Sequence, residues 1–99
     1  MSEFEWDPRK ESRNVRKHGV DFTTASQIWH GFVSERPDDR RDYGESRFNA
    51  FGIAENRILA VVYTPRGESR RIISARVAHR RERSLYEEEI ERRSRPPPD

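Results

Sequence analysis

Apolar and polar residues alternate in several short runs of this chain, which is the spacing that β-strands require. Side chains two positions apart lie on one face of a strand, so such alternation indicates a half-buried strand. The pattern predicts five strands, which lie around Phe4 and Trp6 and at 32–36, 47–54, 57–64 and 69–77. Tight turns at Glu55-Asn56 and between Thr64 and Gly67 connect the last three strands into a hairpin meander.

Three helices are predicted by capping residues and by apolar residues three or four positions apart. These signals place the helices at 8–18, 22–30 and 79–92. Asp7 and Asp21 can cap the first two helices, and Gly19 and Gly31 end them. The order β-α-α-β-β-β-β-α predicts an α+β fold, in which an antiparallel sheet of about four to five strands has the helices on one face.

The composition favours one small folded domain with a thin core. Leu, Ile, Val and Phe total only 19 of the 99 residues, but 20 basic residues nearly balance 18 acidic ones. We expect the domain to span 1–93 and to be followed by a flexible proline-rich tail, 94–99. The absence of cysteine excludes disulfides and thiolate metal sites. We recognise no signal peptide and no membrane-spanning run, so we expect a cytoplasmic protein without membrane contact.

Positive charge concentrates where the last strand meets the last helix. Between Arg66 and Arg83 there are seven arginines against two glutamates, a local charge of +5. Strict alternation places one set of side chains on an accessible face: Arg70, Ile72, Ser74 and Arg76. It places the more apolar set towards the core: Arg71, Ile73, Ala75 and Val77. Because guanidinium groups bind phosphate bidentately, we expect this junction to face a polyanion, and RNA in particular.

Four segments in order give a more specific indication: F-E-W-D-P, R-K-H-G-V-D-F, R-I-I-S-A-R and R-R-E-R-x-x-Y-E. From Phe4 to about Glu89 the chain resembles the BrnT family, the toxins of bacterial type II toxin–antitoxin pairs. The resemblance implies a RelE-like ribonuclease fold and RNA cleavage that arrests translation. It also implies a BrnA-type antitoxin that binds the toxin and carries the DNA-binding part, so that operator DNA is reached only through the complex.

Cleavage of RNA without a metal needs a base for the 2′-hydroxyl proton, charge to stabilise the phosphorane, and an acid for the leaving oxygen. Arg76, in the family motif S-A-R, and Arg80 are the expected phosphate ligands. Lys17 and His18 match the family's K-H-G, and an ordinary histidine pKa of roughly 6.5 suits proton transfer. The general base stays open between Lys17, His18 and a carboxylate.

Further RNA contacts are expected from basic and aromatic side chains near the junction: Arg47, Arg70, Arg71 and Tyr63. Each candidate also has a purely structural interpretation. Arg76 can pair with a carboxylate on the surface, Lys17 and His18 can simply end their helix, and Tyr63 can pack in the core. No cofactor is expected, and three scattered histidines without ligand spacing predict no metal site.

A second class of function is compatible with the same residues. A basic surface with aromatic side chains can bind RNA or an acidic protein without any chemistry, since phosphate contacts serve both purposes. A toxin homologue that has lost its activity and persists as a co-repressor would be one such module.

Overall fold

The structure, a computed structural model, describes residues 3–96. Within that range the sheet contains five strands: β1 (Phe4–Glu5), β2 (Ser34–Pro37), β3 (Phe48–Ala54), β4 (Arg57–Arg66) and β5 (Ser69–Val77). The helices are α1 (Pro8–His18), α2 (Phe22–Ser26), which continues into a 3₁₀ turn (Gln27–His30), and α3 (Arg80–Ser94). None of these helices is long and apolar enough to cross a membrane.

The strands are arranged in the order β1-β5-β4-β3-β2, and the α+β class predicted from the sequence is confirmed. Strands β2 to β5 pair antiparallel, as hairpin connections require, but β1 pairs parallel with β5. The sheet is therefore mixed. Two helices and three strands separate β1 from β5 along the chain, so no hairpin turn joins them. Without a hairpin turn, the two strands are not required to pair antiparallel.

Capping residues set the ends of the first two helices. The Asp7 carboxylate accepts a hydrogen bond from the Arg9 backbone N–H, and Gly19 ends α1 with φ of 71°, so the predicted range 8–18 is confirmed. Asp21 caps α2 in the same way through the Thr24 backbone N–H. The following 3₁₀ turn lies against β3, and a Cβ atom at Gly52 would stand only 2.7 Å from the Ile28 Cβ.

The helices cover both faces of the sheet, and the prediction that they cover one face is wrong. One core joins α2 and its 3₁₀ turn to inward residues of β3 and β4, among them Ile28, Leu59 and Val61. A second cluster packs Tyr86 of α3 against Phe51 and Ala60, whose side chains point to the opposite face. The middle of β3 and of β4 is buried on both faces because a helix lies on each, which a pattern of one-sided alternation does not anticipate.

A β-bulge in β5 changes which residues share a face. Val62 pairs with Ser74 and Tyr63 with Ile72, so Ile73 is an additional residue without a partner on β4. Ile72 is only 1% exposed and lies in the core with Ala75, although strict alternation assigned them to opposite faces. That assignment was wrong because the bulge inverts the alternation between the two halves of the strand.

Some predicted boundaries move. Strand β4 continues to Arg66, beyond the predicted start of its turn at Thr64, and the chain reverses near Gly67, where φ is 58°. Helix α3 extends to Ser94 and includes the first residue of the predicted tail. The last part of that tail, 97–99, lies outside the described residues.

Candidate functional site

Helix α3 lies across one row of the sheet, which we call the covered row. Its four members pair in register across four strands: Ser34, Phe51, Ala60 and Arg76. Glu82, Tyr86 and Glu89 reach this row from α3, and their spacing of four and three residues places them on one helix face. Tyr86 packs in the Phe51 cluster, and the Ser34 hydroxyl donates a hydrogen bond of 2.7 Å to the Glu89 carboxylate.

Arg76, a predicted phosphate ligand, ends the covered row and forms a bidentate pair with Glu82. Its Nη1 and Nη2 atoms donate to the two carboxylate oxygens at 2.7 and 3.0 Å. The same carboxylate accepts the His79 backbone N–H at 2.7 Å and caps α3. These bonds lower the pKa of Glu82 to about 2, and the hydrogen bond from Arg76 has the largest effect. A phosphate that binds Arg76 must therefore compete with a fully ionised carboxylate.

The next row of the same face lies beside the covered row, and we call it the open row. Its members also pair across four strands: Arg36, Asn49, Val62 and Ser74. Arg36 is exposed and the other three are half-buried. Within the part of the chain that the structure describes, the side chains of Asn49 and Ser74 make no hydrogen bond, so their polar atoms are available to a ligand.

Helix α1 lies beside the edge of β5 beyond the point where β1 ends. The Asn14 amide donates to the Ala75 carbonyl at 2.8 Å and accepts the Ala75 N–H at 3.1 Å, as a neighbouring strand would. It also donates to the Val20 carbonyl at 2.8 Å. Asn14 is only 6% exposed. These bonds satisfy an otherwise unpaired strand edge and fix α1 against the sheet.

An open groove of about 350 Å³ is lined by residues of both α1 and β5. It is lined by Lys10, Arg13, Asn14, Lys17, His18, Ile73 and Ser74. Three of these residues are cationic and none is acidic, so the groove attracts anions. Ser74 belongs to both the groove and the open row, and the two surfaces are therefore continuous.

His18 lies at the end of α1 in this groove, beside Lys17. Partial burial, followed by the positive charges of Lys17 and Arg76, lowers the pKa of His18 below its ordinary value of 6.5. The imidazole is thus mostly neutral at pH 7 and can accept a proton. Arg76 follows Ser74 by two residues on the same face of β5, so the groove approaches the end of the covered row.

The predicted site residues divide into a group near this groove and a group away from it. Lys17 and His18 line the groove, and Arg76 lies two residues beyond Ser74, which also lines it. Arg80 is the first residue of α3 and is exposed, and no ion pair within residues 3–96 involves it. The structure thus brings three of the four predicted catalytic residues into one neighbourhood and places Arg80 a few residues further along the chain.

The predicted RNA-binding residues lie elsewhere. Arg71 pairs with Glu5 at 3.3 Å, and Arg47 pairs with Glu45 at 3.2 Å at the start of β3. Both lie towards the other end of the sheet from Arg76. Each guanidinium already has a carboxylate partner, which weakens the attraction of a phosphate at these positions.

Arg70 and Tyr63 point to the opposite face, among the aromatic residues of the main core. The Arg70 guanidinium lies 4.8 Å from the Trp29 ring centre and 5.6 Å from that of Tyr63. The Tyr63 hydroxyl donates to Glu35, and burial together with this bond raises the pKa of the phenol. These contacts give both residues a packing role that the sequence pattern already allowed for Tyr63.

Four polar residues of the groove and the open row were not predicted from the sequence: Lys10, Arg13, Arg36 and Asn49. Ser74 was predicted only as a member of the accessible face of the last strand. For Lys10 and Arg13 a signal was present, because Arg13 lies four positions and Lys10 seven positions before Lys17 on one helix. The strand register determines which residues form the open row. That register is set by strand pairing and by the bulge.

The described residues contain no group of three or more His, Asp or Glu side chains arranged as metal ligands. A comparison with curated proteins found no match. Residues 6–82 match the family model for the ribonuclease toxin, BrnT, of type II toxin–antitoxin systems. The matched range contains α1, the whole of β5 and the Arg76–Glu82 pair. Since it covers most of the chain, the protein belongs to the BrnT family of ribonuclease toxins.

Proposed function

We propose that this protein is an endoribonuclease toxin with a RelE-like fold that cleaves RNA in the cytoplasm without a metal and thereby arrests translation. The observation that carries the proposal is the family match over 6–82, within which a cationic groove ends at a histidine of lowered pKa. The domain that performs this function spans 1–93 in our proposal.

His18 is the proposed general base. A neutral imidazole in the groove accepts the proton of a ribose 2′-hydroxyl, and the resulting alkoxide attacks the adjacent phosphorus. A 2′,3′-cyclic phosphate forms as the bond to the 5′-oxygen breaks, and the leaving 5′-oxygen takes a proton from water. The lowered pKa supports this role, since the neutral form predominates at the pH of the cell. A carboxylate is a weaker candidate, because none lines the groove.

Lys17, Arg76 and Arg80 are the proposed sources of positive charge for the phosphorane. Lys17 lines the groove, and Arg80 is exposed at the first turn of α3, where backbone N–H groups also favour an anion. Arg76 contributes once the phosphate displaces Glu82 from part of its bidentate contact. Arg47, Arg70, Arg71 and Tyr63 are further from this centre and remain proposed RNA contacts of lesser weight.

The proposed partner is an antitoxin of the BrnA type, because the family functions in type II pairs. The antitoxin would neutralise the basic groove and carry the contact to operator DNA. Coexpression tests this directly: the toxin alone should arrest growth, and the neighbouring antitoxin gene should restore growth and copurify with the toxin. If expression of the chain alone leaves growth unchanged, the toxin proposal is contradicted.

Cleavage of a defined RNA in the presence of EDTA tests the catalytic proposal. We expect the wild-type protein to cut and His18→Ala to lose at least about a hundredfold in kcat, a typical contribution of a general base. Arg80→Ala should lose activity in the same assay. Arg92→Ala is the matched control, because Arg92 is exposed on the same helix and lies far from the groove.

Circular dichroism spectra would show that each variant is folded. Full activity of a folded His18→Ala variant would exclude His18 as the base. Cleavage that stops on addition of EDTA would contradict the metal-independent mechanism. Binding of RNA by the wild type without cleavage, with or without ribosomes, would favour a non-catalytic binding module.

A further inference from the structure

Helix α1 presents more positive charge than the proposed chemistry uses. Besides Lys17, it carries Lys10 and Arg13 on the wall of the groove. No ion pair or hydrogen bond between side chains in residues 3–96 involves either of them. We propose that Lys10 and Arg13 form a phosphate-binding track that holds single-stranded RNA beyond the cleavage site. The track is an extension of the ribonuclease function proposed above and depends on it.

The acidic residues of this segment are turned away from the groove. The Asp7 carboxylate caps the helix, and the Glu11 carboxylate accepts the Phe22 backbone N–H at 2.9 Å. Neither carboxylate lines the groove, so the charges of Lys10 and Arg13 are not neutralised from their own helix. An arrangement that engages both acids elsewhere and leaves the cations unpaired favours an anionic ligand.

The geometry of α1 suits an extended chain of phosphates. Lys10 and Lys17 are seven residues apart and lie on one side of the helix, about 10 Å apart along its axis. The axial spacing of phosphates along one nucleic-acid strand is about 3.4 Å in a duplex, so a length of about 10 Å can accommodate more than one phosphate. Arg13 lies between them, so the groove offers a cation at each of three levels.

The groove wall is rigid and continuous with the open row. Asn14 attaches the middle of α1 to the β5 backbone through buried hydrogen bonds, so the cations have a fixed support. On the opposite wall, Ser74 connects the groove to the open row, and Ile73 offers an apolar side chain at the bulge. A base can rest on Ile73 and bond to Ser74 only when it is unpaired, which favours single-stranded over duplex RNA.

Binding of a fluorescent single-stranded RNA with 2′-O-methyl groups, which cannot be cleaved through the 2′-oxygen, tests the track separately from the chemistry. Lys10→Ala combined with Arg13→Ala should weaken binding at least about tenfold at low salt. The slope of log affinity against log salt should become shallower by about 1.4, since each lost phosphate contact contributes about 0.7 for a single strand. The double variant Arg9→Ala with Arg16→Ala is the control, because it removes equal charge from the same helix outside the groove.

In cleavage assays the Lys10 and Arg13 variant should raise KM far more than it lowers kcat, whereas His18→Ala should lower kcat. Equal losses of affinity in the two double variants would overturn the track, because the charge of α1 would then act without a defined path. An unchanged salt slope, or equal binding of duplex RNA, would overturn it as well.

The two proposals fail in different ways. A wild-type protein that cleaves RNA, with no special effect of Lys10 and Arg13, retains the proposed function and loses the track. A protein that binds RNA through Lys10 and Arg13 without cleaving it retains the track and loses the ribonuclease mechanism. A wild-type protein that binds no RNA overturns both.

Discussion

The covered row and the open row lie side by side on one face of the sheet, yet they have different surroundings. In the covered row, Ser34 and Arg76 bond to carboxylates of α3, and the Phe51 and Ala60 pair packs against Tyr86. In the open row, as far as residues 3–96 show, no side chain bonds to α3 and two polar side chains lack partners. One face therefore supports folding in one row and leaves polar side chains without protein partners in the next.

The two rows differ in how many hydrogen bonds and packing contacts their side chains make inside the protein. Side chains of the covered row have their hydrogen bonds and apolar contacts satisfied, so replacing them should reduce stability. Side chains of the open row have few such contacts, so replacing them should affect the ligand more than the fold. Arg76 closes the covered row and also lies near the groove, so replacing it should affect both stability and ligand binding.

Removal of Tyr86 should give the largest loss of stability. Tyr86 is 3% exposed and anchors α3 to the sheet, and its hydroxyl donates to the Phe32 carbonyl at 2.7 Å. We expect Tyr86→Ala to lower the free energy of unfolding by about 3–5 kcal/mol, the usual cost of truncating a buried aromatic residue. Thermal denaturation should show a fall in Tm of more than about 10 °C.

Val62→Ala truncates a smaller apolar side chain of the open row for comparison. Because Val62 is only half-buried, we expect a loss below about 1 kcal/mol. Similar losses in Tyr86→Ala and Val62→Ala would show that α3 does not stabilise the covered row and would break the distinction between the two rows.

Neutralising Glu82 should have an intermediate effect that depends on pH. Its pKa is about 2 in the folded protein against an ordinary 4.5, so the ionised form is favoured by folding. That stabilisation is complete above about pH 4.5 and is lost as pH falls towards 2. A change of this size corresponds to about 3 kcal/mol, of which solvent screening at this partly exposed pair leaves about 1–2 kcal/mol.

We therefore expect Glu82→Gln to unfold more easily at pH 7 and to converge with the wild type in denaturant titrations at decreasing pH. The side-chain carbonyl of the introduced glutamine would still accept the His79 N–H, so the helix cap is retained. Glu91→Gln is the control, since Glu91 forms an exposed ion pair with Arg95 on the same helix. A pH-independent difference, or an equal effect at Glu91, would exclude a stabilising role for the Arg76–Glu82 pair.

The helix caps and most strands were accessible to sequence reasoning because their signals are local. Asp7 and Gly19 set the ends of α1 through their own backbone and side-chain geometry, and the alternation of 69–77 predicted β5 with its observed bounds. Lys17 and His18 were identified from a short motif, and the structure places both in one groove.

The sequence could not predict which side chains of β5 face the core, or which residues form the open row. Both depend on contacts between segments that are distant along the chain. The bulge at Ile73 reverses the alternation, and no Gly or Pro marks it in the sequence. Asn49 joins the row only through the register of β2, β3 and β4. The bidentate bond of Asn14 to Ala75 connects residues 61 positions apart, which no local pattern reports.

A pair of serines allows the finest test, because one lies in each row. Ser34 is 8% exposed and donates to the Glu89 carboxylate, whereas the Ser74 side chain makes no hydrogen bond within residues 3–96. Ser34→Ala should lower the free energy of unfolding by about 1–2 kcal/mol, since it leaves a charged acceptor without its donor. Ser74→Ala should change stability by less than about 0.5 kcal/mol.

RNA binding should show the reverse order for the same two substitutions. Ser74→Ala should weaken binding of uncleavable single-stranded RNA severalfold, because Ser74 connects the groove to the open row, while folded Ser34→Ala should bind as the wild type does. Chemical denaturation and fluorescence titration on the same protein samples would measure both effects. Equal effects of the two serines on stability and on RNA affinity would mean that the sheet face is not divided into a structural row and a binding row.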